Sequence, residues 1–414
     1  MRTVPRSLLA VMATSLVIAA CTASPPPSTG SPGPAVTATT SPSVATTATP
    51  AEIPGPPAAP KPTPKPTPTP VWTKSRLVVA DARCSQVTAG IDAAGRSHIV
   101  ASCDAGLRYS VSKPDGSWST TLLGQPSNRR QMDPQIGFDG NVVFIAYSWL
   151  AVTDGGCGDD GLDDLGIYYR KRTLPDGPWS EPKRIGITDD TLVSFRVEGA
   201  TLHAVVYNTA DERSYYERVE GGVSKRVRLP ATGSLRVGHD GRARIAYESS
   251  GSIRIATFTG SGFSSAVIPG SEVASAPVLV LDDRDRAHVV WTRDPLEDAA
   301  CGMGSAEDPK AGMYYATNAS GAWKVQRFTS QRGVASLQIA GATNDVHLVL
   351  LADSGLTYST KSTAGSWHSK RLATGWVVSP VIRLDPATGR LLVAYVRMPE
   401  DDSPIKPGVY VLYK

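Results

Sequence analysis

Beyond residue 71 the chain alternates short apolar runs with polar turns, and no stretch of helical period competes with them. The most regular feature is a large apolar residue, usually tryptophan, that opens a short amphipathic strand after a glycine-containing turn. Trp118–Leu123, Trp179–Ile185, Val223–Leu229, Phe263–Ile268, Trp323–Phe328 and Trp367–Leu372 follow this pattern, and Trp72–Val78 is a further copy at the opposite end of the domain. These markers recur every 40 to 46 residues, with two wider intervals of 61 and 60 that signal insertions. Inside each unit lies a near-continuous apolar run: Ser97–Ala101, Val142–Tyr147, Thr201–Tyr207, Arg244–Tyr247, Ala287–Trp291, Val346–Leu350 and Leu391–Tyr395. Runs of that length and composition read as buried strands. A third strand comes before each marker turn, from Leu107–Ser110 in the first unit to Val409–Tyr413 in the last.

Repeats of this length, each able to supply four strands, predict an all-β ring: a seven-bladed β-propeller of four-stranded antiparallel blades over residues 72–414. The last third strand has no marker strand after it. The Trp72 strand is therefore expected to become the outer strand of the seventh blade, closing the ring and removing an exposed sheet edge.

Composition divides the chain into three parts. Residues 1–20 carry Arg2 and Arg6 followed by the 14-residue apolar run Ser7–Ala20, too short to span a bilayer, and read as a signal peptide. The run ends Val17-Ile18-Ala19-Ala20-Cys21, which resembles the lipobox of bacterial lipoproteins. That resemblance implies lipidation of Cys21 and a lipid-anchored position on an outer membrane face of a bacterial cell envelope, with the membrane touched through the anchor alone. Residues 21–71 are Pro-, Thr-, Ser- and Ala-rich, holding 16 of the 33 prolines between Pro25 and Pro70. Such a segment has too little apolar surface to offset the entropy of ordering and is expected to be a disordered tether, spanning from about 40 Å as a coil to about 150 Å as polyproline II. With 42 Lys+Arg against 38 Asp+Glu and a net charge of +4, no basic stripe interleaved with aromatics is present, which sets nucleic acid aside as a partner.

The turns before the markers read Ser112-Lys-Pro-Asp-Gly-Ser-Trp118, Leu174-Pro-Asp-Gly-Pro-Trp179, Asn318-Ala-Ser-Gly-Ala-Trp323 and Ser362-Thr-Ala-Gly-Ser-Trp367. They resemble degenerate Asp-box (BNR) repeats, and the domain is similar to the sialidase-like propeller superfamily. The motif is architectural: glycine permits a left-handed turn, and the tryptophan is expected to pack between blades.

Four of the six histidines, His98, His203, His288 and His347, fall at one repeat position near the start of the second strand. One per blade distributes them around the ring, which favours a structural role over a metal or catalytic one. After Cys21 four cysteines remain. Counting back from a hairpin turn at Asp92–Gly95 puts Cys84 opposite Cys103, so that bridge is feasible. Cys157 and Cys301 sit in the two insertions, Ala151–Gly166 and Asp294–Gly312, which rise from one face on nearly opposite blades. A bridge between them would strap a lid over the channel mouth, with free thiols or an intermolecular bond as alternatives. The first insertion carries Asp154, Asp159, Asp160 and Asp163 among glycines, an oxygen-rich loop that suits either Ca²⁺ or plain solvation.

The sialidase resemblance implies three arginines around a substrate carboxylate, a tyrosine nucleophile activated by glutamate, and an aspartate acid. Arg130, Arg293 and Arg397 fall near strand ends on the long-loop face, with Asp133, Glu248, Asp294 and Asp353 nearby in the repeat. The superfamily's Phe/Tyr-Arg-Ile-Pro motif is absent from the chain. The sequence thus favours a monomeric, non-catalytic propeller that binds a glycan or an envelope protein at the long-loop face. A sialidase-like hydrolase and a scaffold subunit of an envelope assembly are the alternatives.

Overall fold

A computed structural model describes residues 71–124, 129–152, 162–293, 308–331, 333–340, 345–352, 355–362, 365–400 and 403–414. The described strands form seven four-stranded antiparallel sheets, the blades of a seven-bladed β-propeller, with no helix among the described residues. In six blades the strands follow chain order from the inner strand outward. The seventh blade takes Val377–Leu384, Leu391–Arg397 and Gly408–Tyr413 from the C-terminal end and Arg76–Val79 as its outer strand. Arg76 pairs with Val411 and Leu77 with Tyr410, and the Thr73 N–H donates to the Tyr413 carbonyl at 2.9 Å. The ring is thus closed by hydrogen bonds between the two ends of the domain.

The core lies between blades. Seven clusters of buried apolar residues each draw on two neighbouring blades; one joins Val100, Leu107 and Tyr109 of blade one to Ile136, Val143 and Ile145 of blade two. Each fully buried side chain of this kind stabilises the fold by about 1.5–3 kcal/mol. The marker aromatics seal these seams from outside. Trp179 meets Tyr109 of the preceding blade edge-on at 5.0 Å, Phe263 meets Tyr216 at 5.4 Å, Trp367 meets Tyr315 at 5.5 Å, and Trp72 meets Tyr358 at 4.9 Å. The aromatic position is therefore an inter-blade contact, as the turn motif implied.

Two local departures from the expected strands have physical causes. The outer strand of blade two is only Lys183–Ile185, because Pro178 and Pro182 remove N–H donors on either side of Trp179. The first insertion, in contrast, is partly ladder: the second and third strands of blade two extend to Val142–Val152 and Leu162–Thr173, with Leu150 opposite Asp164 and Ala151 opposite Asp163.

The inner strands carry the sharpest backbone features. In blades two, five and seven the register slips at Asp133-Pro134, Ala276-Pro277 and Ser379-Pro380, and the residue before each proline sits at φ 53°, 49° and 50°. Proline cannot donate to a ladder, so the irregularity falls where no bond is lost. Between neighbouring inner strands serine hydroxyls replace ladder acceptors: the N–H groups of Leu235, Leu279 and Ile382 donate to Ser194, Ser234 and Ser336 Oγ of the preceding blades at 3.2, 3.0 and 3.2 Å. Buried amides at the ring's narrow centre are satisfied this way.

Candidate functional site

The long-loop face is defined by register. Val377 at the start of an inner strand lies opposite Arg397 at the end of a second strand, and Ala274 lies opposite Arg293 in the same way. Inner-strand starts and the loops between second and third strands therefore share one face.

Of the residues expected to form a site there, Arg293, Arg397, Glu248 and Asp133 are committed to separate partners. Arg293 donates from Nε to Asp308 at 3.0 Å and from Nη1 to the Glu272 carbonyl at 3.1 Å. The Lys310 N–H and this arginine together hold Asp308 below the usual carboxylate range. Arg397, 5% exposed, donates to the Thr374 carbonyl at 2.7 Å and lies 3.7 Å from Glu400. Glu248 accepts the Gly251 N–H at 2.7 Å and closes its own hairpin. Asp133 exchanges two hydrogen bonds with Gln86 of blade one, at 2.7 and 2.8 Å. Arg130 is exposed opposite Leu150, while its neighbour Arg129 stacks over Trp149 at 4.9 Å. Asp294, Asp353, Asp154, Asp159, Asp160, Cys157, Cys301 and Cys21 lie outside the described residues, and Asp163 is a ladder position in blade two.

One feature of this face escaped the sequence. Trp376, 37% exposed, sits in the connection between blades six and seven. Its N–H donates to Glu400 Oε1 at 2.7 Å, and its carbonyl accepts the Met398 N–H at 2.9 Å. The backbone under the indole is thus fixed from both sides, beside the Arg397–Glu400 pair. Because Trp376 falls outside the marker position, the repeat gave no signal for it.

The repeated histidines are structural. His98, His203, His288 and His347 each place Nδ1 2.6–2.8 Å from the hydroxyl of a third-strand tyrosine, Tyr109, Tyr216, Tyr315 and Tyr358. Burial pushes His203 and His347 down to about 4. In blade one Asp92 Oδ2 faces His98 Nε2 at 3.0 Å; although burial opposes it, the hydrogen bonds from His98 and Arg96 hold this carboxyl at about 2.

Cys84 and Cys103 form a disulfide. Most of their hairpin pairs one residue out of step with the turn-based count, as in Gln86 opposite Ser102, and an irregularity between Cys84 and Gln86 restores the cysteine pairing. Among the described residues one cluster combines potential metal donors, Asp81 with these two cysteines. The sulfurs are bonded to each other and Asp81 pairs with Arg108 at 3.1 Å, so the cluster is a poor cation site.

A second buried charge cluster belongs to blade three. Arg226 Nη1 reaches Asp190 Oδ2 and Glu217 Oε1, both at 2.7 Å, Nη2 reaches Asp190 Oδ1 at 3.0 Å, and the guanidinium lies 3.7 Å over the Tyr215 ring. Asp190 and Glu217 are 0% and 1% exposed, so the arginine compensates two carboxylates that water cannot reach.

No protein-family model matches the chain, and no curated protein matches it in sequence. Solved structures do match its fold. The Penicillium chrysogenum α-L-arabinanase complexed with arabinobiose is 10% identical at a TM-score of 0.50, covering 83% of this chain and 98% of its own. The β-propeller domain of Cps50 (Swd1) from Myceliophteria thermophila is 9% identical at 0.50, covering 82% and 98%. The Trypanosoma rangeli sialidase is 11% identical at 0.44, covering 80% and 55%. At such identities the likeness of the first two is one of propeller architecture, shared by proteins with different work. No described helix is long and apolar enough to cross a membrane.

Proposed function

We propose that this chain is an envelope-tethered binding propeller: a domain lipid-anchored through Cys21, held off the membrane by the 21–71 linker, that binds a glycan or protein at its long-loop face without catalysis. The observation that carries the reading is Trp376, an exposed indole on a backbone fixed by Glu400 and Met398 at that face. A rigid aromatic presents a large contact surface at low entropic cost, and polar neighbours orient what stacks on it. Because Arg293, Arg397, Asp133 and Glu248 are engaged with intramolecular partners, the indole is the contact this face offers a ligand.

The test incubates the purified full chain with a mixed oligosaccharide pool that includes sialosides, with and without Ca²⁺, followed by mass spectrometry and by capture of bound glycans and envelope proteins. An unchanged pool, with a captured glycan or protein lost at least tenfold in Trp376→Ala, is the expected result. New cleavage products overturn the reading, and so does capture that is indifferent to Trp376.

A further inference from the structure

The central cavity of the ring, about 230 Å³, is lined by Arg196, Arg236 and Arg383 together with Gln338, Phe138 and the backbone around Gly90. The three arginines occupy one layer. Arg196 lies opposite His203, Arg236 opposite Arg244 and Arg383 opposite Leu392, the same repeat position that places Gln338 opposite His347 and Gly90 opposite His98. They stand near the hairpin ends of their inner strands, on the side of the channel away from the long-loop face.

Several half-buried arginines elsewhere in this protein have a carboxylate partner. Arg96 pairs with Asp92, Arg286 with Asp282, and Arg226 with Asp190 and Glu217. The channel arginines bond to carbonyls instead. Arg196 donates to Phe195 O at 2.5 Å, Arg236 to Leu235 O at 2.8 Å, and Arg383 to Ile382 O at 2.8 Å and to Ala89 O at 2.7 Å. No Asp or Glu lines the cavity among the described residues. These bonds pin each guanidinium to the channel wall and leave most of its five N–H donors for the cavity.

The cost of this arrangement is visible in the charges themselves. Burial lowers Arg383 to about 10, and burial together with the Arg383 charge across the ring lowers Arg196 to about 9, which leaves both cationic at neutral pH. Cations gathered in a low-dielectric channel without a counter-charge are destabilising, and a bound anion reverses the sign of that interaction.

We infer that the channel is a binding site for a compact polyvalent oxyanion, inorganic phosphate or a small phosphoryl group, held by Arg196, Arg236 and Arg383 with the Gln338 amide. Planar guanidinium forks match phosphate oxygens, and the cavity lies below the roughly 300 Å³ at which sites for drug-sized ligands begin. Two glycines at the same repeat position let neighbouring inner strands approach closely around the layer. A Cβ at Gly90 would lie 2.4 Å from the Phe138 ring, and one at Gly137 would lie 2.5 Å from the Val197 side chain. The site is separate from the long-loop face and stands or falls without it.

The experiment is thermal unfolding and ³¹P NMR titration of the full chain with inorganic phosphate at constant ionic strength, with sulfate and citrate in parallel. Phosphate is expected to raise the unfolding midpoint by about 3 °C or more over matched chloride, and to show saturable broadening of its ³¹P line. Arg196→Gln and Arg383→Gln are expected to weaken phosphate binding at least tenfold each while raising the midpoint of the phosphate-free protein, because repulsion is relieved. Should either variant fail to fold, the saturable ³¹P response of the unmodified chain and its competition by sulfate decide. No phosphate response beyond chloride, an equal response in folded variants, or binding of citrate in place of phosphate overturns the assignment.

Discussion

His203 shows how one side chain reports its surroundings. It is 3% exposed, its Nδ1 lies 2.6 Å from the Tyr216 hydroxyl, and burial together with the Arg218 charge holds its imidazole at about 4. In the unfolded chain the same ring titrates near 6.5. Between those values the unfolded state binds the extra proton, so stability is complete above about 6.5 and falls as pH drops towards 4. The expected loss from this residue is roughly 2 to 3 kcal/mol between pH 7 and pH 4.5. Urea unfolding across that range should show it as a slope, shallower in His203→Gln by close to one proton; equal slopes in the two proteins would disprove the buried neutral ring. The structural role of the histidines was legible because they repeat. Their tyrosine partners were harder to read, since the pair spans two strands and depends on a register that spacing alone leaves open.

Strands acquire meaning from what crosses them. Arg226 on the outer strand of blade three, Val223–Leu229, reaches past Glu217 on the third strand to Asp190 at the start of the inner strand, so one guanidinium ties three strands together. Removing it leaves two buried carboxylates, one of which, Glu217, burial already raises. Arg226→Leu is expected to destabilise the domain by about 3 kcal/mol, read from the urea midpoint, and a loss under about 1 kcal/mol would mean that water reaches the pair. Residues 190, 217 and 226 carry no motif, and their convergence follows from sheet order. The inner strands teach the same lesson: Asp133-Pro134, Ala276-Pro277 and Ser379-Pro380 argue locally against a strand, yet in these three blades the strand continues past an irregularity that falls where proline costs no bond.

At the scale of the molecule, closure is the decisive contact. The strand Arg76–Val79 covers the edge of Gly408–Tyr413, and Trp72 packs on Tyr358 of blade six, so the first residues of the domain complete both a sheet and a seam. A chain beginning at Asp81 would leave a row of unpaired N–H and C=O groups on blade seven. It is expected to melt well below the full chain and to associate on size-exclusion chromatography. A circular permutant that joins residue 414 to residue 71 and opens at the Thr259–Gly262 turn should keep the full chain's melting behaviour. A truncated chain as stable as the parent would refute closure by this strand.

The sequence by itself determined the strands, their grouping into seven blades, the outer strand borrowed from the far end and the structural use of the repeated histidines, because each rests on local periodicity; counting along one hairpin made the Cys84–Cys103 bridge feasible, and a ladder irregularity brings the two opposite each other. Tertiary structure decided the rest. Arg293 and Arg397 are spent on Asp308, Glu400 and backbone carbonyls, which no spacing announces. Arg196, Arg236 and Arg383 are unremarkable in the chain, each simply following an apolar residue. They become a cluster because the ring turns one position of each inner strand towards a common axis, and a radial meeting of distant residues is a property of closure rather than of any segment.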